Sequence, residues 1–465
     1  MKKPVVGLLP LYVELYDLTT PEIRPDIDRF HQQVIRRLSA AGLEVVDVPV
    51  CRLAREFDQA VRAFEDAGAD AIVTLHLAYS PSLESEKALW RTQLPIIVLD
   101  TTPDFTYDQY TDPGKLMLNH GIHGVQDMCN RLLRHDKRFV ICAGHMEHSD
   151  VVDRVAEAAR AAMIATALKR TRVGTVGEPF VGMGDFQIPE EDLKRDLGIE
   201  VVHYDFAEGE QRISRVTQAQ INKEYLRDCE RFEIHPALTR EVYDRAASVA
   251  LAVRKWVEQE ALSAYTINFR ETEGSNPGLP VMPFVECSTA MGVGIGYAGE
   301  GDVLTAALVG AVLTAHDDAT FTEMFCPDWQ HGSVFLSHMG EFNYNAADGK
   351  PVLMEKPFPF TSAQNPTVAY RCLRGGRAVF MNLAPLGQGR YTMTLAPGEM
   401  LKIRGENRMA ETVNGWFRPS VALPEFLERY SAVGATHHSV LVYGDVLEQL
   451  KMLAKFLPVR LEVIA

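Results

Sequence analysis

The fold class is decided by residues 70–101, DAIVTLHLAYSPSLESEKALWRTQLPIIVLDT. Residues 70–77 and 95–101 are short runs rich in apolar and β-branched side chains, whereas residues 82–91 between them form an amphipathic segment. A buried strand, a helix and a second buried strand are the repeating unit of a parallel sheet. The stretch therefore predicts an α/β fold.

The same alternation continues on both sides of this stretch. Further strands are predicted at residues 5–11, 44–50 and 138–144, and further amphipathic helices at 25–41, 57–67 and 119–135. We expect these elements to form a doubly wound, flavodoxin-like domain over residues 1–170. In a sheet of this kind, ligand-binding residues gather at the carboxyl ends of the strands.

Two further regions differ in texture. A helix at 149–169 leads to a second series, with strands at 172–178, 200–206 and 264–269 and helices at about 208–228 and 238–260. This series predicts a second doubly wound α/β domain over residues 171–325. From 326 to 465, including the tail 431–465, short alternating runs are separated by Gly, Pro and Asn, a pattern that predicts an antiparallel barrel or sandwich.

Composition narrows the function classes. The chain has 465 residues, 46% of them hydrophobic and 23% charged, which is typical of a globular protein. Its formal net charge of −15 and its dispersed basic residues argue against nucleic acid as a partner. No apolar run is long enough for a membrane span and no signal peptide is evident, so we expect a cytoplasmic protein without a membrane partner. The seven cysteines never form a CxxC pair, which argues against a thiolate zinc site.

The run GVGIGYAGEGD, residues 292–302, matches the GxGxxG pattern of dinucleotide-binding loops. It lies deep in the chain, however, and Glu300 and Asp302 stand where a pyrophosphate would need positive potential. We interpret the glycines as allowing a close backbone approach that aims Glu300 inward. Asp302 is predicted to cap the apolar helix that follows.

Four other residues form a candidate metal site with Glu300. Glu323 lies within FTEMF, where a carboxylate among apolar neighbours is costly to bury unless it is paired or binds a metal. His338 lies within a predicted strand, and His437 and His438 are adjacent residues of another, so that only one of the pair should face a given site. A mixed nitrogen and oxygen set suits Mn²⁺ or a similar divalent ion. Each residue alone also has an ordinary explanation, as a helix cap, a surface glutamate or a hydrogen-bonded core histidine.

At these positions the sequence resembles the L-arabinose isomerase family, within the wider L-arabinose/L-fucose isomerase fold. The similar pieces are GEGD with Glu300, FTEMF with Glu323, LSHM with His338 and GATHHS with His438, in the family's order. The segment NHGIHG resembles the family segment whose histidine reaches a neighbouring subunit's active site, a role that falls on His123.

The resemblance implies two α/β domains followed by a C-terminal antiparallel β-barrel, a homo-oligomer (trimer or hexamer), and Mn²⁺ held by Glu300, Glu323, His338 and His438. It also implies that the sugar is contacted by His123, His120, Leu11, Tyr12 and Met183. His437, the strand neighbour of His438, is expected to support that ligand from behind. Departures fall on sugar-contacting positions: Pro10, Leu11 and Tyr12 replace a glutamine-bearing loop, and His120 replaces a glutamine. The C-terminal domain is also shorter, and the sugar need not be arabinose.

The predicted function is that of a metal-dependent aldose–ketose isomerase acting on an open-chain sugar through a cis-enediol. Glu300 and Glu323 would transfer the proton between C1 and C2. One alternative keeps the metal site but makes the reaction the epimerisation of a ketose or the isomerisation of a modified sugar. Another is a sugar-binding or regulatory protein without catalysis.

Overall fold

The computed structural model describes residues 2–465, which divide into two compact units. The first unit comprises residues 2–166 and 449–457, and the second comprises 167–448 and 458–465. Within residues 2–465, none of the helices combines the length and the apolar character that crossing a bilayer would take.

The first unit is built on a five-stranded sheet of order β2-β1-β3-β4-β5 in which all neighbours are parallel. The strands are β1 (Val5–Leu11), β2 (Glu44–Asp47), β3 (Ala71–His76), β4 (Ile96–Asp100) and β5 (Phe139–Ala143). The helices are α1 (Glu14–Thr19), α2 (Arg24–Ala40), α3 (Ala54–Asp66), α4 (Ser82–Arg91), α5 (Leu116–Asn119), α6 (Ile122–Arg134) and α7 (Val151–Lys169), the last of which continues to residue 169. The five strands predicted in this region are confirmed.

Burial explains why these strands read as continuous apolar runs. Every residue of β3 is buried, as are all residues of β1 after Val5. At Gly7 an added Cβ would lie 2.2 Å from the ring of Phe64, so the absence of a side chain lets α3 pack directly on β1. The sheet is thus packed through the apolar residues of its strands and, at Gly7, through a direct contact between β1 and α3.

The second unit contains the remaining elements except most of α15. Its strands are β6 (Arg172–Val176), β7 (Glu200–His203), β8 (Glu233–Ile234), β9 (Ala264–Ile267), β10 (Gly296–Gly299), β11 (Thr320–Asp328), β12 (Ser333–Ser337), β13 (Val352–Glu355), β14 (Thr367–Tyr370), β15 (Gly376–Pro385), β16 (Tyr391–Met400), β17 (Gly415–Pro419), β18 (His438–Tyr443) and β19 (Arg460–Val463). Its helices are α8 (Glu190–Leu197), α9 (Phe206–Ser214), α10 (Gln218–Arg231), α11 (Arg240–Gln259), α12 (Phe284–Gly292), α13 (Val303–Leu313) and α14 (Leu423–Ala432). Helix α15 (Leu447–Phe456) begins in the second unit, but its residues from Gln449 onward belong to the first.

Strands β10-β9-β6-β7 form a four-stranded parallel sheet, against which α13 packs. All residues of α13 are buried, and the side chain of Asp302 accepts a hydrogen bond from the Thr305 backbone N–H at 2.9 Å, as the sequence predicted. A Cβ at Gly296 would lie 2.3 Å from the Ala306 carbonyl oxygen. The glycine-rich run therefore serves the contact between β10 and α13.

The C-terminal part of this unit is a seven-stranded sheet of order β15-β18-β11-β12-β17-β16-β19, with β15 also paired to β16. All of these pairs are antiparallel except β16 with β19. A small sheet of order β14-β13-β8 completes the unit. The prediction of a mixed α/β fold with parallel sheets first and a mainly antiparallel sheet last is confirmed.

Two details of the sequence-based prediction were wrong. The helix expected at 208–228 is two helices, α9 and α10, because Thr217 and Gln220 form a capping box that starts a new helix at Gln218. The tail was expected to continue the pattern of short strands. Instead, its first two residues are the end of α14, and α15 lies within it. Both helices bury one apolar face, and neighbouring short strands obscured that periodicity.

Candidate metal centre

Three of the candidate ligands are placed by the register of neighbouring strands. β11 pairs with both β12 and β18, and Glu323 lies opposite Ser337 on one side and opposite His438 on the other. His338 follows directly after β12. Antiparallel pairing therefore brings one carboxylate and two imidazoles to one place although they are far apart in the chain.

Glu300 comes from the parallel sheet, one residue after β10 ends. Its φ of 66° and that of Gly301, 87°, are both positive, an unusual backbone conformation for a glutamate. At the preceding Gly299, an added Cβ would lie 2.7 Å from Cε1 of His338. The run of small residues thus turns Glu300 inward and leaves room for an imidazole, in agreement with the interpretation of the glycines.

Two pairs of the predicted ligands lie close together. His438 Nε2 is 3.6 Å from Glu300 Oε2, and His338 Nε2 is 3.9 Å from Glu323 Oε2. The described residues include two groups whose ligand atoms all lie within 4.8 Å of one another, and these groups share His438: Glu300 with His437 and His438, and Glu323 with His338 and His438. The 3.6 Å and 3.9 Å separations exceed a hydrogen bond.

Each buried imidazole is held at Nδ1 by a carboxylate. His438 Nδ1 lies 3.0 Å from Asp302 Oδ2, and His338 Nδ1 lies 2.9 Å from Glu341 Oε1. A carboxylate only accepts hydrogen bonds, so Nδ1 carries a proton in both rings, and in the neutral form of each ring Nε2 is left with its lone pair. Metal-binding histidines are commonly oriented in this way. Sequence reasoning missed both partners, although the spacing of three residues between His338 and Glu341 was a readable signal.

The Nε2 atom of His438 is a buried polar atom without a hydrogen-bond partner among residues 2–465. His438 itself is fully buried. Buried polar atoms in native proteins are nearly always satisfied, so one that is not calls for a ligand or a water. The free lone pair is directed into the cluster that contains Glu300 and Glu323.

Two phenylalanines border the cluster. The ring of Phe321 meets the rings of His338 and His438 edge-on, with centroids 4.7 and 5.0 Å away. The ring of Phe186 stacks on His438 at 5.4 Å. These contacts fix the ring planes and lower the local dielectric, which strengthens electrostatic interactions inside the cluster.

His437 lies at the edge of the cluster and is held by Asp185. The carboxylate of Asp185 accepts from the backbone N–H of His437 at 3.0 Å and from Nδ1 at 2.7 Å. The expected alternation of two neighbouring strand residues does not hold, because His437 precedes β18 and its Nε2 also lies 3.7 Å from Glu300 Oε2. Both imidazoles of the pair therefore face Glu300.

Charge within the cluster shifts the pKa values of its members. Burial alone would lower the pKa of His437, but its contacts with Asp185 and Glu300 raise it to about 10. Burial likewise opposes the charged form of Glu300, yet His437 and the neighbouring imidazoles hold the pKa of its carboxyl below the usual value. For His338, burial lowers the pKa, but the charge and hydrogen bond of Glu341 together with the charges of Glu323 and Glu300 outweigh burial and raise it. The carboxylates thus favour the charged forms of His338 and His437, and a metal ion bound at His338 Nε2 would displace a proton.

Two family models match consecutive parts of the chain. The family model for the L-arabinose isomerase central domain matches residues 190–317, and that for the C-terminal domain matches residues 318–460. Together they cover more than half of the chain. The chain belongs to the L-arabinose isomerase family.

Its relatives in the L-arabinose isomerase family are distant but similar along most of their length. The chain is 24% identical over 464 residues to the L-arabinose isomerase of Nocardioides sp., an alignment that covers 94% of this chain and 89% of that protein. It is 22% identical over 444 residues to the L-arabinose isomerase of Lactiplantibacillus plantarum, with 90% of each chain covered. The expectation of a divergent sugar-isomerase enzyme is confirmed at the level of the family.

The sugar-contacting residues implied by the family resemblance are not among the members of this cluster. Met183 is in the second unit, in the loop before α8, where its backbone N–H donates to the Phe180 carbonyl at 3.2 Å. The others belong to the first unit: Leu11, Tyr12, His120 and His123.

Within the first unit these residues form an aromatic and imidazole group. Leu11 and Tyr12 are fully buried, whereas His123 is exposed. Nε2 of His120 lies 3.0 Å from the hydroxyl of Tyr16, and the two rings stack at 5.7 Å. The His120 and His123 rings meet edge-on at 5.6 Å. The sequence analysis missed Tyr16. Its position in the first helix, four residues after Tyr12, could have indicated that the two rings lie close together.

Proposed function

We propose that the chain is a metal-dependent aldose–ketose isomerase whose divalent ion is held by Glu300, Glu323, His338 and His438. The observation that carries the proposal is the buried, unpartnered Nε2 of His438 in a cluster with two carboxylates and a second oriented imidazole. A sugar-binding module has no need of such a set.

Two of the donor pairs have the spacing of ligands to a common ion. Two ligand atoms bound at about 2.1 Å to one ion lie no more than about 4.2 Å apart. The separations from His438 to Glu300, 3.6 Å, and from His338 to Glu323, 3.9 Å, satisfy this limit and are too long for hydrogen bonds. Two imidazoles and two carboxylates favour Mn²⁺ or another divalent ion of borderline character, as the sequence suggested.

A bound divalent ion supplies Lewis acidity toward adjacent carbonyl and hydroxyl oxygens, which lowers the barrier to enolisation. Glu300 and Glu323 transfer a proton between C1 and C2 by way of a cis-enediol. Their side chains are 11% and 25% exposed, so the two carboxylates differ in solvation. Asp302 and Glu341 keep the imidazoles in the tautomer that leaves Nε2 free.

The residues proposed to contact the sugar are Met183, Leu11, Tyr12, His120 and His123, with His123 supplied by a neighbouring subunit of a trimer or hexamer. The replacement of family glutamines at these positions, including the Tyr16-bound His120, supports a sugar other than arabinose.

The proposal includes a finer description of the fold. We propose a flavodoxin-like domain at residues 1–170, a central domain at 171–325 and a closed C-terminal β-barrel at 326–465. The strand order 2-1-3-4-5 supports the first, and the pairing of β15 with both β18 and β16 supports closure of the last.

Solvent-exchange experiments test the reaction. The Mn²⁺-loaded protein is incubated in D₂O with a panel of aldoses and ketoses, and NMR detects deuterium at C1 or C2 together with interconversion. Glu323→Gln and Glu300→Gln should each abolish both signals, whereas Glu399→Gln, an exposed change on β16, should leave them intact. A Glu323→Gln protein with near-normal turnover would contradict the assignment.

Two alternatives predict different outcomes. Deuterium incorporated at another carbon, without exchange between aldose and ketose, would favour a ketose epimerase on the same metal site. Sugar binding without deuterium exchange, and a melting temperature unaffected by Mn²⁺ or EDTA, would favour a non-catalytic binding protein.

The role of His123 is tested by complementation. A His123→Ala protein and a Glu323→Gln protein should each be inactive, but subunits mixed under reversible dissociation should regain partial activity if sites are shared. No recovery in the mixture, with mixed oligomers demonstrated by mass spectrometry, would place His123 and Glu323 in a site formed by a single chain.

A further inference from the structure

A second polar cavity lies among α9, α10 and α11, apart from the residues of the metal centre. Its volume is about 440 Å³. Six basic residues line it, against the two carboxylates of Glu224 and Glu258: Arg212, Arg215, Lys223, Arg227, Arg254 and Lys255. The chain as a whole has a net charge of −15, so this concave surface is unusual in carrying more basic than acidic side chains.

Four of the six basic side chains are already in ion pairs, that of Arg212 with Glu208 among them. Arg254 donates to Glu286 at 2.6 Å and to Glu224 at 2.9 Å, and these two carboxylates are almost fully buried. Arg227 contacts Glu224 at 3.3 Å, and Lys255 contacts Glu258 at 3.7 Å. These pairs build the wall of the cavity.

Three basic side chains retain unused donors. Nη1 of Arg212 is buried without a hydrogen-bond partner in the part of the chain that the structure describes, although Nε and Nη2 of the same side chain bind Gln259 and Glu208. Arg215 makes one side-chain contact, to the amide oxygen of Gln211 at 3.5 Å. Lys223 makes no ion pair or side-chain hydrogen bond with residues 2–465.

We propose that this cavity binds a small phosphate-bearing polyanion through Arg212, Arg215 and Lys223. Planar guanidinium groups match the oxygens of a phosphate, and a lysine adds a mobile charge. A buried donor such as Nη1 of Arg212 costs free energy until an acceptor reaches it. Binding of an anion supplies that acceptor and neutralises charge that the wall leaves unpaired.

The size of the cavity sets the class of anion. A volume of about 440 Å³ lies within the range of small-molecule pockets. A long polyanion such as nucleic acid would be repelled by the acidic surface beyond the cavity. A compact phosphate ester or diphosphate does not reach that surface. The site is therefore suited to a metabolite with one or two phosphate groups.

Calorimetry with inorganic pyrophosphate tests this site. The full-length protein is first dialysed against EDTA and then against metal-free buffer, so that chelation of a metal contributes no heat, and ionic strength is held constant with NaCl. We expect saturable binding at one site per chain, weaker binding of inorganic phosphate, and none of chloride.

Two double variants that remove the same charge separate this cavity from the general surface. Arg215→Ala with Lys223→Ala should weaken pyrophosphate binding by roughly tenfold or more, because two charge-assisted hydrogen bonds are lost. Arg404→Ala with Arg408→Ala, on an exposed loop, should change it by less than about twofold on the same reasoning. Circular dichroism and the ligand-free melting temperature check that both variants fold.

Three results would overturn the proposal: no saturable heat with pyrophosphate, binding no tighter than that of chloride at equal ionic strength, or an equal loss in both double variants. Because the protein is metal-free and no sugar is turned over, none of these results bears on the proposed isomerase activity.

Discussion

Asp302 joins the parallel sheet to the antiparallel sheet through His438. One carboxylate oxygen of Asp302 accepts from the backbone N–H of Thr305 at the start of α13, and the other accepts from Nδ1 of His438 at 3.0 Å, across 136 residues of sequence. Asp302 and His438 are both fully buried. One side chain therefore caps a helix and sets the tautomer of a proposed metal ligand.

Asp302→Asn should separate these two roles. The amide oxygen can still cap α13, but the amide NH₂ donates to Nδ1 of His438, which moves the ring proton to Nε2. We expect Mn²⁺ affinity to fall by about 10–100-fold. Titration calorimetry measures the affinity, and the metal-free melting temperature reports on the cap.

A matched control is Asp205→Asn, which changes the cap of α9, where the side chain also accepts from backbone N–H groups. It should leave Mn²⁺ affinity unchanged. Equal Mn²⁺ affinity in the Asp302→Asn protein and the unmodified protein would show that the carboxylate does not orient a ligand.

Gly299→Ala should disturb the proposed metal site by crowding His338. The new methyl group would lie 2.7 Å from Cε1 of that ring, and the ring is held by Glu341 and packed against Phe321. Overpacking of this kind typically costs about 1–3 kcal/mol. We expect a lower melting temperature and weaker Mn²⁺ binding.

The control for this substitution is Gly184→Ala, where an added Cβ meets nothing within 4 Å and φ is not positive. It should leave both quantities nearly unchanged. If Gly299→Ala binds Mn²⁺ as tightly as the Gly184→Ala protein does, His338 is not confined in the way that we describe.

The buried His76 makes the first unit sensitive to acid. Burial lowers its pKa to about 3, and neither ring nitrogen has a hydrogen-bond partner among residues 2–465. The unfolded-state pKa is about 6.5, so the unfolded chain binds more protons between these values. This contribution to stability is complete above about pH 6.5 and is lost as the pH falls toward 3, at about 1.4 kcal/mol per unit.

Native-state hydrogen exchange of β3 amides between pH 5 and 7 measures this effect. Over that range the His76→Gln protein should lose less stability than the unmodified protein, by about 2 kcal/mol at pH 5. The exposed His203→Gln change should follow the unmodified protein. Parallel curves for the His76→Gln and unmodified proteins would contradict a neutral, buried imidazole.

Arg254 and Glu286 form a buried pair that should show strong energetic coupling. Burial raises the pKa of Glu286 to about 7, although Arg254 opposes this shift. Arg254→Met leaves two buried carboxylates short of a partner, at a cost of about 3–5 kcal/mol.

Adding Glu286→Leu to Arg254→Met should restore part of the lost stability, because it removes one of the two stranded carboxylates. Chemical denaturation of the two single variants and the double variant gives the coupling energy. A double variant as unstable as the sum of the single variants would mean that the pair contributes no specific interaction.

Local pattern was enough for much of the fold. The strands β3 and β4 within residues 70–101 are buried on both faces, so they could be predicted without knowing their register. Local pattern failed for α14 and α15, because each is ten residues long and lies among short strands. It also failed at residue 217, where a capping box divides one apolar periodicity into two helices.

The sequence by itself determined the α/β alternation, the capping role of Asp302 and the residue types of the metal cluster, because each depends on neighbours within a few positions. Only the tertiary structure decided that both His437 and His438 face Glu300 and that Asp302 and Glu341 hold the two buried imidazoles. The physical reason is register. A pairing of β11 with β12 and β18 fixes which side chains meet, and that pairing depends on the packing of the whole sheet rather than on any local pattern.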